Sequence, residues 1–273
     1  MRVASSPCDT LRVHAAVGMN YHDHCAEIGV PTPTEPVLFS KFASSISCSG
    51  QPIPLDEDLT QELDWEVELC IVVGRKARHV PKERALEYIA GWTVAHDVSA
   101  RDLQLKRNGG QWLLGKTCDG FSPIGPAIVT RDEGAPFVDA ASLGVRCFVN
   151  GERMQNSNTR ELVFKPADLI ACAARPPHHP PPSAIATALP TAFPSPRAGP
   201  CPRRYASTYF TLNPGDLIFT GTPGGVGIFR KPPVSLRHGD EVVVEIDGIG
   251  KLTNVVTATT KLDATHPCKR AKL

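Results

Sequence analysis

Nothing in this sequence has the length or purity of a membrane span: no apolar run approaches the roughly 18 residues that crossing a bilayer as a helix requires. Neither sign of charge dominates. With 29 Lys and Arg against 28 Asp and Glu, the formal charge is +1, which offers nucleic acid or an anionic membrane surface no electrostatic handle. No two cysteines form a CxxC pair; the nine of them (Cys8, Cys25, Cys48, Cys70, Cys118, Cys147, Cys172, Cys201 and Cys268) are scattered and odd in number. Such spacing argues against a zinc–thiolate site or a disulfide framework. It suits a reducing compartment in which cysteine serves as a small buried apolar residue. What is present, 41% hydrophobic residues in a chain of 273, is enough for one large domain with a core.

Short strands dominate the pattern. Residues 11–17, 37–42, 63–73, 91–98 and 216–220 read as strands. A helix is expected to open at Pro81-Lys82-Glu83-Arg84, with Ala85, Tyr88 and Ile89 on one face. Two hairpins are expected, 145–149 with 152–155 around Asn150-Gly151, and 241–246 with 252–257 around Asp247-Gly248. Many short strands and few helices make an α+β, β-rich fold, a barrel or roll with short peripheral helices. One stretch departs from this. Between Arg175 and Arg204 there are ten prolines, no acidic residue and no periodicity, so a disordered or extended insertion is expected there. A proline-rich docking ligand is the other reading of the same composition.

The chemistry is most legible in Leu63-Asp64-Trp65-Glu66-Val67-Glu68-Leu69. On a strand, alternate side chains share a face, so Glu66 and Glu68 point one way and Leu63, Trp65, Val67 and Leu69 the other. Two carboxylates on a buried face repel each other and are costly to desolvate; a divalent cation removes that penalty. Asp97, at the end of Trp92-Thr93-Val94-Ala95-His96, is the candidate third ligand. An all-oxygen set suits Mg²⁺, with Mn²⁺ or Ca²⁺ possible. The same spacing also fits two glutamates facing water on a half-exposed strand.

Other candidates stand beside this group. His24 and Glu27 lie three residues apart in a short helix expected over 20–27, where a carboxylate-oriented imidazole can act as a general base; an exposed polar face gives the same pattern. Lys41 and Lys116 sit in apolar runs and either could meet a substrate carboxylate or enolate, or simply lay its stem along the surface. Thr220-Gly221-Thr222-Pro223-Gly224-Gly225 follows a buried strand and matches neither a Walker A loop nor a dinucleotide fingerprint. It offers backbone N–H groups and the Thr222 hydroxyl to a carboxylate, or is a tight turn and no more.

Six stretches, VGMNYHDHCAE, EPVLFSKFASS, LDWEVELCIVVG, AGWTVAHDVSARD, QWLLGKTCDGFSPIGPA and GDLIFTGTPGGVG, occur in an order that resembles the fumarylacetoacetate hydrolase family. FSKFASS, QWLLGKT and FRKPPV place the chain near that family's domain-containing-2 branch. The resemblance implies a mixed β-roll and a homodimer, with a divalent metal, usually Mg²⁺, on Glu66, Glu68 and Asp97. It implies a lid carrying His24 and Glu27, Lys116 as a further catalytic residue, and substrate contacts from Lys41, Arg101, Gly221 and Thr222. It also implies a small α-keto or 1,3-dicarbonyl acid as substrate. For this branch the implied reaction is keto–enol tautomerisation of oxaloacetate, with acylpyruvate C–C hydrolysis or oxaloacetate decarboxylation as alternatives.

On this reading residues 15–174 and 207–258 form the catalytic domain. Residues 1–14 are an atypical N-terminal extension, 175–206 the proline-rich insertion and 259–273 a tail without a family counterpart. Sixteen residues precede VGMNY where this branch has a longer portion, and the insertion adds roughly thirty residues where relatives turn directly. The helix at 168–171 is then expected to lose its last turn or two, and an alternative transcript yielding an inactive or poorly folded isoform is a competing reading. The branch implies a mitochondrion, the cytosol if its signal is missing, while the terminal Ala271-Lys272-Leu273 resembles a peroxisomal address.

Overall fold

The computed structural model describes residues 14–131, 136–171 and 206–259. The expectations placed on residues 1–13, on the proline-rich run and on the tail from 260 lie outside the described residues. So does the opening of the first predicted strand, which is described as β1 (His14–Gly18).

Among the described residues the architecture is two sheets laid face to face. The larger is built from β1, β2 (Val37–Ser40), β3 (Ile46–Cys48), β6 (Val67–Val73), β7 (Ile89–His96), β9 (Ser122–Thr130) and β12 (Leu217–Phe219). Its order is β2-β1-β12-β6-β7-β9-β3. β1 runs parallel to β12, and β3 to β9; the other neighbours are antiparallel. The smaller sheet has the order β11-β10-β13-β14-β4, from β4 (Ile53–Leu55), β10 (Gly144–Val149), β11 (Glu152–Asn158), β13 (Glu241–Ile246) and β14 (Gly250–Ala258). A two-stranded ribbon pairs β5 (Leu63–Asp64) with β8 (Ser99–Ala100). Helices are short and peripheral: α1 (His22–Ile28), α2 (Leu113–Lys116), α3 (Pro166–Ile170) and α4 (Ala206–Tyr209).

The two-residue period decides which face does what. Leu69, Ile71 and Val73 of β6 join Val145, Cys147, Val242, Val244 and Leu252 in the core between the sheets. The alternate residues Cys70 and Val72 face outward with Ala16, Ala95, Leu217 and Phe219 in a second apolar cluster. Glu68 belongs to that outer register, so the carboxylates stand on the face turned away from the main core.

Both predicted hairpins form. Asn150 (φ 51) and Gly151 (φ 80) make the left-handed turn that joins β10 to β11 and matches strand twist. Two expectations need correction. The strand over 63–73 is not continuous: it breaks at Trp65-Glu66, where Asp97 donates its N–H to the Glu66 carbonyl at 2.9 Å and the Gln155 side chain takes the Val67 N–H at 3.0 Å. The helix near residue 81 is a 3₁₀ segment, Lys82–Tyr88, that Pro81 precedes as an extended cap, and Ile89 already belongs to β7. At the border of the described residues α3 ends at Ile170, with Ala171 extended.

Candidate metal centre

The break in the strand is what assembles the site. Glu66 lies in the gap between β5 and β6, Glu68 in β6, and Asp97 directly after β7, which pairs with β6 through Val67 and His96. One oxygen from each of the three carboxylates lies within 4.8 Å of the others, and all three residues are buried. Both sequence-level possibilities for Glu66 and Glu68 are thereby decided in favour of burial: they are 6% and 1% exposed.

Three cations are buried with these acids. Lys116, from α2, donates to Glu66 Oε2 at 2.7 Å and to Asp97 Oδ2 at 2.9 Å. Lys41 donates to Asp97 Oδ1 and to the Phe121 carbonyl (2.8 Å), with no exposed side-chain surface. Arg101 places Nη2 at 2.6 Å from Glu66 Oε1. Burial alone would raise the Glu66 carboxyl; Lys116 and Arg101 overcome it and hold it at about 2. Burial lowers the Lys41 ammonium, against the pull of Asp97. It opposes the Lys116 charge as well, but there Asp97 and Glu66 prevail and the pKa rises.

Glu68 has no cation of its own. Its Oε2 accepts the Gly221 N–H at 2.6 Å, while burial and then the charges of Asp97 and Glu66 push its carboxyl well above the ordinary carboxylate range. A carboxylate that both burial and its neighbours' negative charge work against is where a divalent cation brings the greatest relief. The donor set is three hard oxygens on two adjoining strands, so the residues present fit a hard divalent ion. Gly221 is required for this contact. Its φ is 98°, and a Cβ there would sit 2.8 Å from the Asn20 Cβ and 2.9 Å from the Val17 carbonyl.

The His24–Glu27 pair sits at the rim, with Nδ1 to Oε2 3.0 Å apart. Glu27 also accepts the Gly225 N–H at 2.8 Å, so the glycine-rich loop orients the carboxylate that orients the imidazole. Asp23 repeats the device, accepting from the Gly224 N–H at 3.3 Å and from the Ser157 hydroxyl. His24 is near enough to Glu66 for its charge to lower that carboxyl, and its ring centroid is 5.9 Å from that of Phe229.

The expected site residues therefore fall into two layers. Glu66, Glu68, Asp97, Lys116 and Gly221 are brought into direct contact, with His24 and Glu27 beside them. Lys41 lies behind Asp97, and Thr222 donates its hydroxyl to the Val67 carbonyl at 2.9 Å while accepting from Gln155 at 2.8 Å. Reading the sequence missed Asp64, Asp23, Gln104 and Gln155. Asp64 carried a signal, two residues before Glu66 on the same alternation; Gln155, remote in a hairpin, carried none.

This arrangement has relatives. The profile of the family described as fumarylacetoacetate (FAA) hydrolase C-terminal matches residues 13–186 and 204–257. The chain belongs to the fumarylacetoacetate hydrolase family. It is 48% identical over 240 residues to a Xenopus laevis protein named oxaloacetate tautomerase fahd2, mitochondrial. That match covers 88% of this chain and 64% of the relative, so the chain spans less than two thirds of that protein's length. Among solved structures, a HpcE-like protein from Mycobacterium smegmatis superposes with TM-score 0.75 at 39% identity, covering 93% of this chain and 77% of the other. Fumarylpyruvate hydrolase from Pseudomonas aeruginosa, solved with Mn²⁺ and pyruvate, superposes with TM-score 0.70 at 28% identity over 91% of each chain. These neighbours are of the expected β-rich roll.

Proposed function

We propose that this chain is a metal-dependent enzyme handling the enol or enolate of a small α-keto diacid, and that its reaction is keto–enol tautomerisation of oxaloacetate. The observation that carries the reading is the convergence of Glu66, Glu68 and Asp97 within 4.8 Å in a buried setting, with a Glu-oriented histidine at its rim. The name of the frog relative supports the choice of reaction.

Glu66, Glu68 and Asp97 would hold the ion, Mg²⁺ by preference, with Mn²⁺ or Ca²⁺ sharing the same taste for hard oxygen. Bound there, the ion supplies Lewis-acid polarisation of the α-keto oxygen and so favours the enol form. The protein's own groups do the rest. Lys116 has three N–H donors, two of them engaged by Glu66 and Asp97, so the third remains for a developing enolate oxygen. Glu27 accepts from Nδ1 of His24, which leaves Nε2 as the position that takes or gives a proton at the substrate carbon. Tautomerisation needs only that: one proton leaves oxygen, one arrives at carbon, and no bond between heavy atoms breaks. Lys41 acts through Asp97 by fixing its orientation, and Arg101 likewise through Glu66.

A second reading, hydrolysis of an acylpyruvate C–C bond or decarboxylation of oxaloacetate, is favoured by the likeness to fumarylpyruvate hydrolase, whose structure contains Mn²⁺ and pyruvate. The test adds enol-oxaloacetate with Mg²⁺ and follows loss of enol absorbance alongside release of pyruvate. Enol loss without pyruvate is expected. Pyruvate rising in step with enol loss would reject the tautomerase in favour of the second reading. We further infer a homodimer in mitochondria: Phe42 and Leu114 are 53% and 47% exposed, which suits a covered surface, and the frog relative is named mitochondrial. Light scattering giving a monomer mass would reject the dimer.

A further inference from the structure

Asp64 stands two residues before Glu66 and shares its alternation, yet it is not among the converging carboxylates. It is 1% exposed, and four donors satisfy its two oxygens. Oδ1 accepts the N–H of Trp65 (2.8 Å) and of Gly227 (2.7 Å). Oδ2 accepts the N–H of Ile228 (3.1 Å) and Nε–H of Arg101 (2.8 Å). Arg101 also donates to Gln104 Oε1 at 2.8 Å, and its remaining nitrogen, Nη2, is the one 2.6 Å from Glu66. One guanidinium is thus shared between a carboxylate of the ion-binding set and a carboxylate outside it.

The sharing has an electrostatic consequence. A guanidinium keeps its proton in any protein environment, so Arg101 carries a full positive charge against a ligand oxygen. Unbalanced, that charge competes for the Glu66 lone pairs and repels a divalent ion. A carboxylate 2.8 Å from Nε of the same guanidinium makes the pair neutral and returns Glu66's charge to the ion. Asp64 also ties down the turn at Gly227–Phe229, whose Phe229 lies against His24.

We propose that Asp64 is a positioning residue: by neutralising and clamping Arg101, it keeps Glu66 available as a metal ligand. The proposal rests on the metal-enzyme reading above, and its test separates the two. Mn²⁺ is titrated calorimetrically into the wild type, Asp64→Asn, Arg101→Gln and the double variant, each below its unfolding temperature. Asp64→Asn is expected to weaken Mn²⁺ binding by about tenfold or more, Arg101→Gln to tighten it, and the double variant to return to within about threefold of wild type. A merely structural role would lower the melting temperature without that alternation of sign. If Asp64→Asn does not fold, Arg101→Gln decides alone: tighter binding supports the proposal, and equal or weaker binding overturns it. Wild-type binding matched within about twofold by a folded Asp64→Asn overturns this proposal only. Absence of Mn²⁺ binding by the wild type overturns the metal reading and the role of Asp64 together.

Discussion

Lys41 shows how much burial can change a residue's role. Its place in an apolar run allowed two readings, a group that meets substrate or a stem along the surface, and burial rules out the second. The ammonium is fully enclosed between Asp97 and the Phe121 carbonyl. Removing one partner of a buried pair strands the other, so Lys41→Met is expected to destabilise the protein by about 3–5 kcal/mol in denaturant unfolding; a loss near zero would contradict this placement. His14 offers a test through pH. Burial, reinforced by the Lys41 charge, lowers its pKa from 6.5 to about 3, and its ring packs against Phe219 with centroids 4.4 Å apart. The unfolded chain therefore takes the proton first. The contribution of His14 to stability is intact above about pH 6.5 and falls by up to about 1.4 kcal/mol per unit as pH drops toward 3. His14→Leu is expected to flatten the fall in unfolding free energy between about pH 6 and 4. An unchanged slope would show that this imidazole does not titrate as its burial demands.

At the scale of elements, α1 is held less by its seven residues than by what clasps them. Asn20 just before it donates to the carbonyls of Phe164 (3.1 Å) and Thr220 (2.7 Å) and accepts the Phe164 N–H (2.7 Å). Asp23 and Glu27 then accept N–H groups from the glycine-rich loop. Asp23→Ala removes a clasp, and with it the acceptor of the His24 backbone N–H (2.7 Å), while leaving the His24 ring, Glu27 and the three metal-site carboxylates in place. We expect turnover to fall by about 10- to 100-fold through misplacement of the imidazole, with the Mg²⁺ affinity unchanged in calorimetry. An equal loss of metal affinity would mean that α1 and the carboxylate cluster are not separable. This scale is also where reading the sequence reached its limit. The Asn150-Gly151 turn and the Glu66/Glu68 alternation are local, set by the demand for positive φ and by the pleat, and both were legible. The break at Trp65-Glu66 was not, because it depends on a Gln155 side chain 88 residues away taking a ladder position at Val67. The partners of Thr222 were hidden for the same reason: its hydroxyl is engaged by Val67 and Gln155, which no local pattern reveals.

For the whole molecule, the β-rich class followed from many short strands with turn signals. The strand order did not, since the parallel β1–β12 and β3–β9 pairs join segments far apart in the chain. That topology sets the β6–β7 pair at the centre of the larger sheet, gives one face of β6 to the core, and leaves the other to carry Glu68 beside Asp97. Four buried acids, Asp64, Glu66, Glu68 and Asp97, face three buried cations, Lys41, Arg101 and Lys116, so the formal tally is one carboxylate over, and Glu68 is the acid without a cation of its own. The most direct measurement is the melting temperature and calorimetric titration of the protein with Mg²⁺, wild type beside Glu68→Gln. The account predicts one ion per chain and a stabilisation of about 2.7 kcal/mol when free Mg²⁺ is a hundredfold above Kd, both strongly reduced in Glu68→Gln. A wild-type protein whose melting temperature does not move at millimolar Mg²⁺, and which takes up no ion, would contradict it.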